Sequence, residues 1–422
     1  MQVALYTMSM EQGGAQRVAK LLAYGLMKRG INVVLILDRA EGPFLKQLPR
    51  EIKILDLELP QNSLRIWGSL HYLFSKHCHY LDLEILSKSL FAIRQCAGAI
   101  HNTWLRYLSY YAFRAVRLAN HLRLCRPNAV LSLLTEWNII ALWSKPFARC
   151  NAKWVITEHS YPSIRLQHHP VGNLVALLVK RSYPHADQIV TVSLEVADSL
   201  RQFLSVPKDK VKVIYNPVVS PDLFERIGQL VSHPWLEQNL SPVILAVGRL
   251  TKEKDYPTLF KAFSLVRQVR PAKLLILGEG EERANLERLA IELGIQNDVS
   301  MPGFVDNPFA FMAKASVFVL SSAWEGLPTV LVEALACGCP VIATDCRSGP
   351  REILDNGHYG RLVPVGDHEA LAKAILETLD NPDFPASREE RIKRSLEFSL
   401  DAAVEKYLQV LLPEKFATSQ KE

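Results

Sequence analysis

Two glutamates eight positions apart, Glu325 and Glu333, sit in the stretch "SSAWEGLPTVLVEALACGCPVIATD" (residues 321–345). Paired carboxylates flanking a sugar would serve acid–base hydrolysis, but their placement argues for separate tasks. "SVFVLSS" reads as a strand, and Pro328 opens the next helix in the first turn that proline favours. Glu325 then falls in the turn and Glu333 in the helix, so they do not share one helical face. The helix start, with Gly326 beside it, offers free N–H groups around Leu327 and Thr329 that suit a phosphate. A carboxylate inside the apolar run "VLVEALA" is costly to bury unpartnered. There it can accept from both hydroxyls of a ribose.

Three further turns carry groups of the same kind. In "AVGRLTKEKDYPTLF" a strand ends at Gly248, and Arg249 and Lys254 follow before a helix. Two cations at a strand's carboxyl end can neutralise a diphosphate without a metal; the plain alternative is solvated loop charge. In "TMSMEQGGAQRVAK" the doublet Gly13–Gly14 joins a strand to a helix. It permits close backbone approach of an anion, or serves only a tight turn. His159 ends the strand of "WVITEHSYPS", as a structural residue or as an imidazole on a cleft rim. Asp38, ending the second strand, would suit a nicotinamide enzyme, yet no G-x-G-x-x-G accompanies it, and "GEGEER" (278–283) lacks the third glycine. No D-x-D is present, which disfavours metal-dependent sugar transfer of the other common architecture, and H-E-x-x-H, P-loop and G-x-S-x-G are absent as well.

Such turns need a scaffold that presents them together. β-branched runs alternate with helix-length amphipathic segments almost throughout. They run from "VALYTM", "INVVLILD", "IKILDL", "AVLSLL", "KWVITEH", "DQIVTVS" and "VKVIY" to "VILAVG", "KLLILG", "VSMPGF", "SVFVLSS", "PVIATD" and "GRLVPV". Strands of this kind predict parallel α/β sheets, with ligands outside their carboxyl ends. A chain of 422 residues exceeds one ordinary core. The proline-rich "NPVVSPDLFERIGQLVSHPWLEQNLSP" marks the junction between domains of residues 1–218 and 219–398, with 399–422 as a final helix.

Charge is uneven. Residues 62–126 hold nine Lys or Arg against two acids, a local +7 in a chain of net +6. Arg106, Tyr110, Arg114, Arg117 and His121 fall on one helical stripe, with Trp104, Leu108, Tyr111, Ala115, Leu118 and Leu122 opposite. The stripe reads either as a solvated face or as a contact for anionic lipid and the acceptor. No apolar run approaches the roughly 18–20 residues that span a bilayer. The start "MQVALYTMSM" reads as a strand rather than a signal peptide. Seven cysteines without a C-x-x-C pair read as buried free thiols. A cytoplasmic protein is expected, with the inner membrane face as a peripheral contact and no nucleic-acid partner.

Together "GGAQR", "GRLTKEKD", "LLILGEGEER", "MPGFVDN", the E-x₇-E stretch with "GCPVIATD", and "GPREIL" resemble the retaining glycosyltransferases of family 4. These have the GT-B fold of two facing Rossmann-like domains. The likeness spans most of the chain, although the first domain matches only at its loops and residues 62–126 carry no family motif. It implies that Arg249 and Lys254 hold the diphosphate of a nucleotide sugar, with UDP the expected nucleotide. Glu333 would hold the ribose, Glu325 would touch the donor sugar, and His159 would approach it from the first domain. By the same likeness the loop at Gly13 and Gly14 approaches the donor phosphates or the acceptor, Gly303 and Phe304 lie by the base, and the last helix crosses back to the first domain. Transfer to a lipid-linked or polysaccharide acceptor, with retention and no cofactor or metal, is the activity implied. A soluble acceptor, a glycoside hydrolase and a non-catalytic nucleotide-sugar-binding module are the alternatives.

Overall fold

The computed structural model describes residues 1–11, 13–58, 99–159, 172–204, 206–238 and 240–414, apart from the side chains of 99–106, 203–204 and 208. The apolar runs form two sheets. The first contains β1 (Gln2–Thr7), β2 (Asn32–Leu37), β3 (Lys53–Asp56), β4 (Ala129–Leu133), β5 (Lys153–Glu158), β6 (Gln188–Thr191) and β7 (Val211–Val213). They pair in parallel in the order β3-β2-β1-β4-β5-β6-β7. The second contains β8 (Val243–Val247), β9 (Lys273–Leu277), β10 (Val299–Gly303), β11 (Val317–Leu320), β12 (Val341–Thr344) and β13 (Arg361–Val363). Its order is β10-β9-β8-β11-β12-β13, again all parallel. Every expected strand is present, in a doubly wound α/β arrangement.

Strand order explains the site before any side chain is considered. It reverses between β1 and β4 in one sheet and between β8 and β11 in the other. At such a switch point the flanking crossovers leave toward opposite faces, and a crevice opens beyond the strand ends. The turns after β8 and β11, which carry Lys254 and Glu325, thereby become neighbours. Apolar layers cover both faces of each sheet.

The helix Ala99–Cys125 corrects the reading of the basic stripe. Tyr111, Ala115, Leu118 and Leu122 are buried, as expected of the apolar side. Arg114, however, is only 5% exposed. Its Nε donates to Asp38 Oδ2 at 3.1 Å, and its guanidinium lies 3.5 Å from the Tyr110 ring centroid. Arg117 is half-buried and donates from Nη2 to the carbonyl of Leu57 at 2.6 Å. Both arginines are turned into the domain because the helix crosses the carboxyl end of β2, where Asp38 is buried. They are therefore not a membrane or acceptor surface. The side chain of Arg106, and those of Trp104 and of residues 62–98, lie outside the described residues. Asp38 also accepts from Tyr6 Oη at 2.7 Å and Trp137 Nε1 at 3.0 Å. With both oxygens so occupied it has no place for a ribose, which removes the nicotinamide reading. Burial raises its carboxyl above the ordinary range, against the opposing pull of Arg114.

Two chain segments join the domains. Residues 214–242 lead from β7 to β8, and Val219 forms a parallel bridge with Ser399 on the return path. Val218 and Val219 donate their N–H groups to Phe398 O at 2.9 and 3.1 Å, and Leu400 N donates to Val219 O at 2.8 Å. The junction is thus a paired strap rather than a single linker. The helix Leu400–Leu411 then packs on Gly14–Lys28, where a Cβ on Gly25 would stand 2.4 Å from Val404 Cγ2.

Candidate functional site

The turn after β8 runs through Gly248 and Arg249 into a tight turn at Lys252–Lys254. Its Lys254 Nζ donates to Glu325 Oε1 at 2.6 Å, across the switch point. Ser322 Oγ donates to the same oxygen at 2.7 Å, leaving Oε2 outside both bonds. The turns are tied backbone to backbone as well, since Ala323 N reaches Glu253 O at 2.8 Å and Ser321 Oγ reaches Lys254 O at 2.7 Å. The two charged side chains are 15% and 13% exposed, so the pair is largely shielded from water. Burial, followed by the nearby Glu325 charge, pushes the Cys346 thiol up to about 12, so it stays protonated beside them. Arg249 differs from the expectation of two converging cations. Its side chain is 75% exposed and holds Glu253 at 2.8 Å.

Glu325 lies in the turn, and the helix Thr329–Ala336 starts just after Pro328, which occupies its N-cap. Leu327 is buried, while Gly326 and Thr329 are partly exposed. Glu333, in the second turn, is 1% exposed. Its Oε1 accepts from Arg17 Nη1 at 2.5 Å, and Arg17 belongs to the first domain, on the helix Gly14–Lys28. The cleft is therefore bridged at the residue expected to hold the ribose. Gly13 caps that helix, and a Cβ on Gly14 would meet nothing within 4 Å. Gly14 therefore has open space beside it, whereas a Cβ on Gly13 would stand 2.4 Å from Gln16 Oε1.

Gly303 ends β10 at φ +95° and Phe304 beside it is 61% exposed. The glycines of "GEGEER" serve packing. A Cβ on Gly278 would lie 2.0 Å from Gly248 O and one on Gly280 2.3 Å from Leu250 O, so both let the β8 and β9 turns touch. His159 follows β5 and is partly buried, with Nε2 2.8 Å from Thr157 Oγ1; residues 160–171 next to it lie outside the described residues. Glu158, buried just before it, accepts from Thr135 Oγ1 at 2.9 Å and Tyr183 Oη at 2.8 Å. Among the described residues no group of three or more His, Cys, Asp or Glu is placed to hold a metal ion, and no helix is long and apolar enough to cross a membrane.

Comparison with known proteins decides what these turns belong to. The family model described as Glycosyltransferase Family 4 matches residues 12–220, and that of Glycosyl transferases group 1 matches residues 233–395. An uncharacterized glycosyltransferase of Methanocaldococcus jannaschii is 32% identical over 336 residues, covering 70% of this chain and 81% of that protein. The chain belongs to glycosyltransferase family 4. A Campylobacter jejuni serotype O:2 relative is 28% identical over 396 residues, 93% of each chain. It is named N-acetylgalactosamine-N,N'-diacetylbacillosaminyl-diphospho-undecaprenol 4-alpha-N-acetylgalactosaminyltransferase. The crystal structure of HepE from Anabaena in complex with UDP superposes with a TM-score of 0.71 at 18% identity, over 97% of this chain and 99% of that one. That likeness carries the fold, which is GT-B.

The glycosyltransferase has a second bridge between its domains, on the opposite flank of the Glu325 turn. Ser348, at φ +68° and fully buried, donates from Oγ to Gly326 O at 2.5 Å and lies 2.8 Å from Ser193 Oγ of the first domain. Its N–H also bonds Glu195. Glu352 caps the first-domain helix Leu194–Leu204, accepting from Leu194 N at 3.0 Å and from Tyr215 Oη at 2.7 Å. Sequence reading missed these bridges. Arg17 and Glu352 stand inside the quoted "GGAQR" and "GPREIL", but their partners lie 316 and 158 residues away.

Burial raises the Glu352 carboxyl above its ordinary value of 4.5. A group protonated more readily when folded stabilises fully below its unfolded pKa, and that contribution is lost as pH rises through the folded value. Glu352→Gln keeps one accepting oxygen, at the position that takes both Leu194 N and Tyr215 Oη, yet cannot ionise. Thermal midpoints taken from about pH 4 to about pH 7 should therefore show a smaller relative loss on the alkaline side in the variant than in wild type. Parallel curves would mean that Glu352 titrates alike in both states.

Proposed function

We propose that this glycosyltransferase moves a hexose or N-acetylhexosamine from a nucleotide-diphosphate sugar, with UDP as the nucleotide, to a lipid-linked or polysaccharide acceptor with retention of configuration. The observation that carries the reading is the Lys254–Glu325 pair at 2.6 Å, held where the β8 and β11 turns meet. A preformed cation at this point can take the charge that develops on a leaving diphosphate, without reorganising during the reaction. The N–H groups at Leu327 and Thr329 add to it, and Arg249 can swing from its exposed pairing with Glu253. Glu325 then lies beside the donor sugar, Glu333 at the ribose, and Gly303 and Phe304 at the base. His159 and the Gly13–Gly14 loop approach from the first domain.

In this scheme the bond from the sugar's anomeric carbon to the diphosphate oxygen breaks. The acceptor oxygen bonds to that carbon from the face the diphosphate leaves. The hydroxyl proton passes to the departing phosphate oxygen, so atoms and charge balance without a metal. A lipid-linked acceptor is favoured by the Campylobacter jejuni relative, whose name specifies a diphospho-undecaprenol-linked substrate. UDP is favoured by the HepE complex and by the family resemblance. Peripheral attachment to an anionic membrane remains part of the proposal through the basic segment upstream of Arg114.

The direct experiment incubates the protein with UDP-sugars and either a polyprenyl-diphosphate-linked saccharide or a free saccharide, with and without EDTA. Transfer to the lipid-linked acceptor at a rate that EDTA does not alter is the expected result. Release of sugar to water alone would point to a hydrolase. Transfer only to the free saccharide would replace the acceptor, and an EDTA loss restored by a divalent cation would overturn the metal-free chemistry.

A further inference from the structure

Glu333 is 1% exposed, on a helix whose Leu331, Val332, Ala334 and Leu335 are packed in the apolar layer. An ionised carboxylate so placed needs a counter-charge and several hydrogen bonds. The described partner is Arg17, reaching from the other domain through one nitrogen to one oxygen at 2.5 Å. Arg17 is itself held in place. Its guanidinium lies 5.4 Å from the centroid of the Phe309 ring, and Arg226 approaches the same ring at 5.2 Å. Its N–H bonds Gly13 O at 3.0 Å, so the turn that carries the glycine doublet also aims the arginine. The bond uses Oε1 alone. A carboxylate has about four acceptor positions, so the diol of a ribose can be received while Arg17 stays bound.

We propose that Arg17 is a positioning residue for the donor: it fixes and neutralises Glu333 so that the free lone pairs of the carboxylate accept the ribose hydroxyls. The proposal rests on the reading of Glu333 as the ribose acceptor. It makes each domain supply half of one clamp. The nucleotide brings only neutral hydroxyls to Glu333 and shuts out water. Without the cation, binding would leave a buried charge balanced by hydroxyls alone. Donor affinity is thereby coupled to domain closure, because closure is what carries Arg17 to Glu333.

The test measures calorimetric affinity of the intact enzyme for UDP and for 2′,3′-dideoxyuridine diphosphate, with Arg17→Gln, Arg17→Lys and Glu333→Gln beside wild type. Removing a charge-assisted bond of this type weakens binding on the order of tenfold. Arg17→Gln is expected to lose that factor for UDP, Arg17→Lys to recover part of it, and the loss to shrink for the dideoxy compound. In turnover the loss falls on the donor KM, with kcat within a few-fold of wild type. Unchanged or tighter UDP binding in Arg17→Gln, while Glu333→Gln weakens it, would sink this proposal alone and leave Arg17 a closing contact that the donor displaces. Undiminished UDP binding in Glu333→Gln would instead remove the ribose reading on which it stands. A loss equal for UDP and its dideoxy form would move Arg17 to the phosphates, and so also overturn the proposal.

Discussion

Lys254→Met is expected to lower kcat at saturating donor by a factor on the order of 10²–10³, the usual cost of losing one preorganised donor to a developing anion. The geometry makes Lys254 the more demanding of the two cations in its loop. Its ammonium lies 2.6 Å from Glu325 with only 15% of the side chain exposed, so water replaces it poorly. Met has nearly the same length and keeps the packing, which separates charge from shape. Without the ammonium, Glu325 retains the Ser322 hydroxyl at 2.7 Å as its described partner. The carboxylate proposed to lie beside the donor sugar is then both less neutralised and less fixed. Arg249→Met should cost much less, because its guanidinium is 75% exposed and already shares its charge with Glu253. Steady-state kinetics on both variants decides the matter. A Lys254→Met enzyme within three-fold of wild type, or an Arg249→Met enzyme that is the worse of the two, would move the leaving-group role elsewhere.

This ranking shows what could be read in advance and what could not. Short apolar runs between turn residues placed every strand, because strands buried on both faces need little beyond β-branched continuity. The parallel order of those strands then makes the turns after β8 and β11 adjacent, which joins Lys254 to Glu325 across 71 positions. Local pattern also located Pro328 at the helix start, and with it the separation of Glu325 from Glu333. It failed where a side chain's partner comes from a distant element. The stripe Arg106–Tyr110–Arg114–Arg117 has the periodicity of a solvated helix face, and periodicity carries no information about a buried carboxylate opposite it. Glu333 was legible as a charge that needs a partner. That the partner is Arg17 depends on the relative placement of two domains, which no window of residues encodes.

The buried carboxylate opposite the stripe sets the largest expected loss of stability. Arg114→Leu should destabilise the fold by about 3–5 kcal/mol, the range found when one partner of a buried ion pair is removed. Asp38 is 2% exposed and its Oδ2 takes both the Arg114 Nε and the Trp137 indole. Leucine leaves Asp38 with two neutral donors and an uncompensated charge, and it also strips the cation from the face of Tyr110. Asp38 already titrates high through burial. Losing the arginine raises it further, so the variant should recover part of its deficit as pH falls toward the carboxylate range, where a protonated Asp38 no longer needs a cation. Arg114→Leu with Asp38→Asn should be less unstable than the single change, since the charge is gone and Asn can still accept from Tyr6. Urea midpoints of wild type, Arg114→Leu, Asp38→Asn and the double variant, at two pH values, measure the coupling directly. Additive losses, or a loss under about 1 kcal/mol, would mean that Arg114 behaves as an exposed pair and would restore the helix face to a surface role. The same proteins mixed with anionic vesicles separate the two assignments: a buried Arg114 contributes nothing to salt-sensitive binding, whereas a membrane-facing one carries part of it.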